Sequence, residues 1–115
     1  MKTKEQKTRE VREILKISLP LTRVLKELFE VRQEDKFYYC PFHPSTSRAT
    51  LRITPNGYGY NCFHCGSHGT VLDLLYNTSK ASIVKSLPFI QDYGEFSLSV
   101  FNYFNLVLPF KHMNT

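Results

Sequence analysis

Residues 40–65 read CPFHPSTSRATLRITPNGYGYNCFHC, and four side chains in this stretch have the spacing of a metal site. Cys40 and His43 have two residues between them, and Cys62 and Cys65 repeat that spacing 18 residues later. Each short loop brings two ligands to one side of an ion, and tetrahedral sets of thiolates and imidazoles are typical of zinc. The sequence therefore predicts one zinc ion bound by Cys40, His43, Cys62 and Cys65. Four protein ligands leave no position for an activated water, so this zinc is predicted to be structural.

The residues between the two pairs predict the hairpin that brings the pairs together. Residues 50–53 alternate in polarity, so that Leu51 and Ile53 share one face. Residues 54–57, Thr-Pro-Asn-Gly, are typical of a turn, and residues 58–61 are predicted to form the returning strand. Residues 50–62 thus form a hairpin that delivers Cys62. A short strand over 36–39 runs into Cys40.

Helices are predicted on both sides of the hairpin. Residues 2–16 form a charged helix, and a second helix enters around Ser18–Pro20. Their apolar faces are Val11, Ile14 and Leu15 in the first and Leu21, Val24, Leu25 and Leu28 in the second. Thr70 and Asp73 have capping-box spacing, which starts a third helix, and residues 79–87 predict a further helix that Pro88 ends.

The end of the chain is apolar and aromatic. Phe96, Leu98 and Val100 alternate with serines, which predicts a half-buried strand. We expect this segment either to fold back over the helix at 71–76 or to dock a partner protein or a second copy of the chain. The fold class is α+β, a small zinc-ribbon-like antiparallel sheet with flanking helices. The predicted divisions are a charged helical arm (1–16), a zinc-binding domain (17–90) and an apolar tail (91–115).

Composition excludes several classes of protein. The chain has 115 residues, a formal net charge of +5 and three cysteines. An odd number of cysteines does not make a closed disulfide framework, and the charged start has no signal-peptide core, so we expect a cytoplasmic protein. No apolar run reaches the ~18 residues of a membrane span, so no membrane partner is expected.

Basic and aromatic side chains interleave around the predicted zinc site. Between residues 37 and 72 there are two arginines and no acidic residue, so this part is locally cationic. Cations that follow phosphates and rings that stack on bases are typical of single-strand binding. The candidate DNA-facing residues are Lys36, Arg48, Arg52, Tyr58, Tyr60, Phe63 and His64. The alternative is that the tyrosines cover the zinc site, and core packing is favoured for Phe37 and Phe42. His64 and His68 also compete with His43 as metal ligands or lie in solvent.

Together these residues resemble the zinc-binding domain of bacterial and phage DNA primases of the DnaG type. The resemblance rests on Cys40-Pro-Phe-His43, the hairpin, Cys62-Phe-His-Cys65-Gly66 and the apolar helix that follows Gly69. It covers residues 14–90. Two departures are Thr70 in place of the family's usual Asp and a longer interval before the hairpin. The resemblance implies a role in replication priming, with single-stranded template bound beside a separate primase, polymerase or helicase.

Two rival functions follow from the same residues. One is a protein–protein adaptor of a phage or mobile-element replication complex, in which the zinc ribbon is only a scaffold. The other is a truncated primase with residual or partner-dependent primer synthesis. Nucleotidyl transfer needs a carboxylate cluster that binds metal ions. Asp73, Asp92 and Glu95 are the acidic residues after the zinc motif, and their spacing forms no such cluster, so we expect no catalysis by the chain alone.

Overall fold

The computed structural model describes residues 3–29, 33–43 and 48–104. Along this part of the chain two helices come first, five short strands follow, and two further helices come last. The helices are α1 (Lys4–Ser18), α2 (Leu21–Val24), α3 (Val71–Lys80) and α4 (Tyr93–Tyr103), and a π-helical stretch, Leu25–Phe29, continues α2. The strands are β1 (Gln33–Glu34), β2 (Phe37–Tyr38), β3 (Leu51–Ile53), β4 (Gly59–Cys62) and β5 (His68–Thr70). The predicted α+β class with a small antiparallel sheet and flanking helices is confirmed.

The sheet is a meander in which each strand pairs with its neighbour in the chain. All four pairings are antiparallel, in the order β1-β2-β3-β4-β5. In the central hairpin Leu51 pairs with Cys62 and Ile53 with Tyr60. Gly57 has φ +84°, a left-handed conformation that glycine adopts without steric cost, and it closes the predicted turn.

The first helix buries the predicted apolar stripe. Val11, Ile14 and Leu15 are buried, and Thr3 and Gln6 form a capping box at the N-terminus of α1. The second helix begins one residue later than predicted, because Pro20 is extended and serves as the N-cap rather than the first helical residue. The Leu21 backbone N–H donates to the Gly57 carbonyl at 2.9 Å, which fixes α2 against the hairpin turn.

Thr70 starts α3 as predicted. Its hydroxyl accepts from the Asp73 N–H at 3.3 Å, and Asp73 Oδ2 accepts from the Thr70 N–H at 2.9 Å. Gly69 precedes the cap at φ +144°, and a β-carbon there would lie 2.6 Å from Asp73 Oδ2, so the close approach requires glycine.

The predicted helix over 79–87 is wrong. The α3 helix ends at Lys80, and the Ile83 and Val84 N–H groups both donate to the Thr78 carbonyl, which turns the chain away from the helix axis. The segment that follows is an irregular connection. It is anchored by the buried side chains of Val84 and Leu87.

The predicted strand at 96–100 is also wrong, because these residues belong to α4. The Asp92 side chain accepts from the Glu95 N–H at 2.9 Å and caps the helix. Phe96, Val100 and Phe104 repeat every four residues and are buried against the other helices. The alternation of large and small residues at 96–100 is compatible with either period, and the cap and the tertiary packing decide for the helix.

Helix α4 therefore completes the core, which is one of the two outcomes left open for the tail. Val11 and Leu15 from α1 and Phe96 and Val100 from α4 lie in one buried cluster with the residues of the sheet and α3. The division into arm, domain and tail stays a prediction, and residues 105–115 lie outside the described part. Within that part, no helix combines the length and apolar character that crossing a bilayer requires.

We expect Phe96→Ala to lower the free energy of unfolding by about 3 to 5 kcal/mol, since the fully buried ring leaves a cavity between α3 and α4. Tyr103→Ala, on the same helix but 45% exposed, is the control and should cost under about 1 kcal/mol. Urea unfolding of the zinc-loaded chain measures both. Equal losses would mean that α4 does not pack as described.

Candidate metal centre and adjoining groove

The sheet places each ligand pair in a tight loop at one end of the central strands. Cys40 follows β2, and the His43 N–H donates to the Cys40 carbonyl at 3.2 Å. Cys62 is the last residue of β4, and the Gly66 N–H donates to the Cys62 carbonyl at 2.8 Å. Gly66 has φ +78°, a left-handed conformation that allows the chain to reverse direction directly after Cys65. The pairing of β3 with both β2 and β4 brings the two loops together.

The four predicted metal ligands form one cluster. Their ligand atoms all lie within 4.8 Å of one another, and His43 Nε2 lies 3.1 Å from Cys62 Sγ. A tetrahedral zinc with Zn–S distances of about 2.3 Å needs ligand atoms about 3.8 Å apart, so small side-chain adjustments complete the tetrahedron. The donor set of three sulfurs and one imidazole nitrogen fits zinc and closes its coordination sphere. The cluster can therefore hold one structural zinc ion, as predicted.

Hydrogen bonds prepare Cys62 for metal binding. Burial raises the pKa of the Cys62 thiol, but hydrogen bonds from Thr50, from the Cys65 N–H and from His43 outweigh burial and lower the pKa to about 6. The Thr50 hydroxyl lies 3.2 Å from Cys62 Sγ and donates to it when the sulfur is a thiolate. Such contacts orient a metal-bound sulfur and spread its charge.

Cys40 has the opposite environment. Burial is the main cause that raises the pKa of its thiol to about 12; a backbone hydrogen bond from Phe42 opposes this rise, and the neighbouring sulfurs of Cys62 and Cys65 add to it. Three thiolates so close together repel one another, and a divalent cation converts this repulsion into attraction. Metal binding must release the Cys40 proton, which ties zinc affinity to folding of the loops.

The two competing histidines lie outside the ligand cluster. His64 is exposed, and its ring packs against the His43 ring with centroids 4.6 Å apart. His68 is exposed on β5, and its Nδ1 lies 3.0 Å from the Gly66 carbonyl oxygen. His43 is therefore the histidine of the site, and His64 buttresses it from outside.

A groove of about 600 Å³ adjoins the metal centre. The second metal loop supplies Phe63 and His64, and the segment before β3 supplies Arg48. Phe37 from β2 packs edge-on against Phe63 with ring centroids 5.3 Å apart, and Phe63 remains 65% exposed. The turn between β1 and β2 adds Glu34 and Asp35. The groove thus combines an exposed ring with charges of both signs.

The structure brings some of the predicted DNA-facing residues together and separates others. Arg48, Phe63 and His64 share the groove, Lys36 is exposed in the turn beside Phe37, and Arg52 is exposed on β3.

Tyr58 lies at the far end of the hairpin, where its hydroxyl donates to the Ile17 carbonyl at 2.9 Å. Tyr60 is only 2% exposed and its hydroxyl lies 3.1 Å from Ser67 Oγ. A base cannot stack on a buried ring, so the stacking role predicted for Tyr60 is corrected to core packing.

Five residues of the groove are not among the candidates predicted from the sequence: Glu34, Asp35, Phe37, Ala49 and Thr50. Phe37, for which core packing is predicted, is half-buried and lines the groove beside Glu34 and Asp35. Asp35 and Lys36 form the turn that joins β1 to β2, and Asp35 has φ +59° there. Aspartate tolerates this left-handed conformation better than most residues, which is the signal that the sequence offers. That turn folds the acidic pair back beside the metal loops.

Comparison with known proteins identifies similar sequences. Residues 7–103 match the family model for the CHC2 zinc finger, a DnaG-type zinc ribbon. The chain is 30% identical over 92 residues to a DNA primase of Chlamydia pneumoniae, a match that covers 74% of this chain and 15% of that protein. It is 36% identical over 62 residues to a DNA primase of Salmonella typhimurium, covering 50% of this chain and 10% of that protein. The chain therefore spans only a small part of the length of these curated relatives. No solved structure matches it.

Replacement of one exposed ligand should remove the metal. We expect Cys65→Ser to abolish stoichiometric zinc binding and to unfold the hairpin, because zinc contributes on the order of 10 kcal/mol to folding in small metal-dependent domains. Elemental analysis and thermal melting of the same sample measure both effects. His68→Gln, outside the cluster, is the control and should keep one zinc per chain. A Cys65→Ser chain with full zinc content and unchanged melting would disprove the ligand assignment.

The hydroxyl beside Cys62 should tune zinc affinity without being a ligand. We expect Thr50→Val to weaken zinc binding by roughly tenfold or more, because it removes one donor to the sulfur at nearly constant volume. Competition with a chromophoric chelator measures the affinity. Thr50→Ser keeps the hydroxyl and should bind zinc nearly as the unmodified chain does. Equal affinities for the valine and serine variants would show that the hydrogen bond is unimportant.

Proposed function

The chain belongs to the CHC2 zinc-finger family of DnaG-type zinc ribbons, and from this premise we propose that it binds single-stranded template DNA beside a separate primase, polymerase or helicase. Membership of this family, with DNA primases among its similar proteins, supports a role in primase-related DNA replication. The mode of binding and the catalytic partner are the proposed part. In this proposal zinc is the scaffold of the interface and takes no part in chemistry.

The observation that carries the proposal is the exposed Phe63 ring on the metal loop. Phe63 is 65% exposed and lines the groove beside the metal loop, so a base can reach the ring. Phe37 supports the ring from one side in edge-to-face contact, which holds Phe63 at the groove while leaving surface for a ligand. Stacking of a base on such a ring contributes about 1 to 3 kcal/mol and tolerates any base sequence.

Charges around the ring give the bound strand an orientation. Arg48 lines the groove just before β3, and Arg52, four residues further along the chain, is exposed on β3. Glu34 and Asp35 line the same groove, and carboxylates there repel phosphates. A strand with its bases in the groove would therefore run its phosphates along the Arg48 and Arg52 side. Base edges, some of which carry amino donors, would lie towards the carboxylates.

The zinc site couples this interface to the fold. Phe63 and His64 lie between two metal ligands, Cys62 and Cys65, and the Phe63 N–H donates to the Thr50 carbonyl at 3.2 Å. This hydrogen bond ties the metal loop to the residue before β3. Removal of zinc should release Phe63 from Phe37 and abolish DNA binding together with the fold of the hairpin.

We expect weak, salt-sensitive binding of a single-stranded tetranucleotide. With ~3 phosphate contacts, the log–log salt slope should be about −2. The double variant Arg48→Gln/Arg52→Gln should reduce the magnitude of the slope by about 1.4. Phe63→Ala should weaken binding roughly tenfold with an unchanged slope, because stacking releases few ions. Fluorescence anisotropy of labelled DNA at several salt concentrations measures each quantity.

Phe89→Ala is the matched control for Phe63→Ala, since Phe89 is a partly exposed ring in the connection after α3. It should bind DNA as the unmodified chain does. A slope near zero, or equal binding by the Arg48 and Arg52 double variant, would contradict the proposal and favour the adaptor function.

A further inference from the structure

A second cleft, of about 360 Å³, shares no lining residue with the groove at Phe63. It runs between α1 and the first turn of α3. Arg9, Arg12 and Lys16 line it from α1, Thr70 and Asp73 from the start of α3, and Tyr93 from α4. None of these residues belongs to the metal cluster or to the groove beside it.

The three cations form a stripe on one helix. Positions 9, 12 and 16 follow the i, i+3, i+7 spacing that places side chains on one face of α1. At ~1.5 Å per residue the stripe is about 10 Å long. The buried stripe of Val11, Ile14 and Leu15 and the capping box hold α1 in place, so the cations project from a fixed support.

The acidic groups in the cleft are already engaged. Glu13 forms an ion pair with Lys16 at 3.3 Å. Asp73 Oδ1 accepts from the Tyr93 hydroxyl at 2.6 Å, and its Oδ2 accepts from the Thr70 N–H at 2.9 Å and from the Thr70 hydroxyl at 3.1 Å. The positive end of the α3 dipole also offsets the charge of Asp73.

Arg9 and Arg12 differ from Lys16, the third cation of the cleft. Neither forms an ion pair with a carboxylate in the described ranges 3–29, 33–43 and 48–104. Two guanidinium groups three residues apart repel each other and weaken a helix slightly, a cost that a bound anion removes. Guanidinium groups bind phosphate through paired, charge-assisted hydrogen bonds.

The walls of the cleft also select the kind of ligand. The apolar residues at its base, Leu15, Val71 and Leu72, are nearly completely buried, so they offer no slot for a flat ring. Tyr93 directs its hydroxyl to Asp73. What the cleft presents to a ligand is its charge, which suits phosphate groups better than nucleobases.

We propose that this cleft binds backbone phosphates of the same single strand whose bases occupy the groove at Phe63, an inference that rests on the proposed function. Phe63 follows the end of β4, whereas Thr70 in the cleft pairs with Gly59 at the other end of that strand. Four positions at ~3.4 Å per residue and one strand spacing of ~4.8 Å separate the two sites by roughly 14 Å. With one phosphate per ~3.4 Å of strand, about five nucleotides span this distance. A tetranucleotide cannot reach both sites, and a dodecanucleotide can.

The first test compares oligonucleotide lengths. The double variant Arg9→Gln/Arg12→Gln should bind a single-stranded dodecanucleotide roughly tenfold more weakly at low salt, with the magnitude of the salt slope reduced by about 1.4. Its affinity for the tetranucleotide should be unchanged. Lys80→Gln/Lys85→Gln is the matched control, because it removes the same charge at the opposite end of α3 and beyond. Unchanged dodecanucleotide binding by the arginine variant, or an equal loss in the lysine control, would overturn the proposal.

A second test does not depend on DNA. Titration of the zinc-loaded chain with tripolyphosphate should shift the NMR signals of Arg9, Arg12 and Thr70, and the arginine double variant should lose these shifts. No shift in the unmodified chain, or an equal response to an acidic peptide, would overturn the phosphate assignment. If the chain binds no DNA but tripolyphosphate shifts these signals, the proposed function and the shared-strand assignment fail, and only a phosphate site remains.

Discussion

The mutual approach of three sulfurs and one imidazole nitrogen to within 4.8 Å is the constraint on which the rest of the structure depends. Strands of two to four residues are too short to hold a sheet together by backbone pairing alone. The ligand pairs lie at the ends of β2 and β4, the two strands that flank β3. A metal ion between the pairs therefore links these strands at one end of the sheet. The same tie fixes the loop that carries Phe63. Stability and the proposed interface therefore depend on one ion.

Features set by neighbouring residues could be predicted from the sequence. The ligand set followed from the spacing of Cys40, His43, Cys62 and Cys65, because each pair needs only a short loop. The hairpin turn at Gly57 and the cap at Thr70 were likewise local, since each is made by residues within four positions of one another.

Features set by contacts across the chain could not be predicted. Val100 and Phe104 are buried by elements distant in sequence, and the alternation at 96–100 gave no sign of which period would prevail. Tyr60 looked equivalent to Tyr58 by alternation, yet the helices that cover one face of the sheet bury only the former. Glu34 and Asp35 precede the locally cationic region 37–72 in the sequence, and only the pairing of the strands brings them to the groove.

The order of the strands also bears on how the molecule forms and opens. In a meander every pairing joins neighbours, and hairpins of this kind close in about 1 to 10 μs. By contrast α1 and α4 meet across some eighty intervening residues, a contact with a much larger loop-closure cost. We expect the sheet and its metal loops to form early and the contact between α1 and α4 to form last. Transient opening would then begin where α1 meets α4 and would expose Leu15 and Phe96 to solvent while the metal loops stay folded.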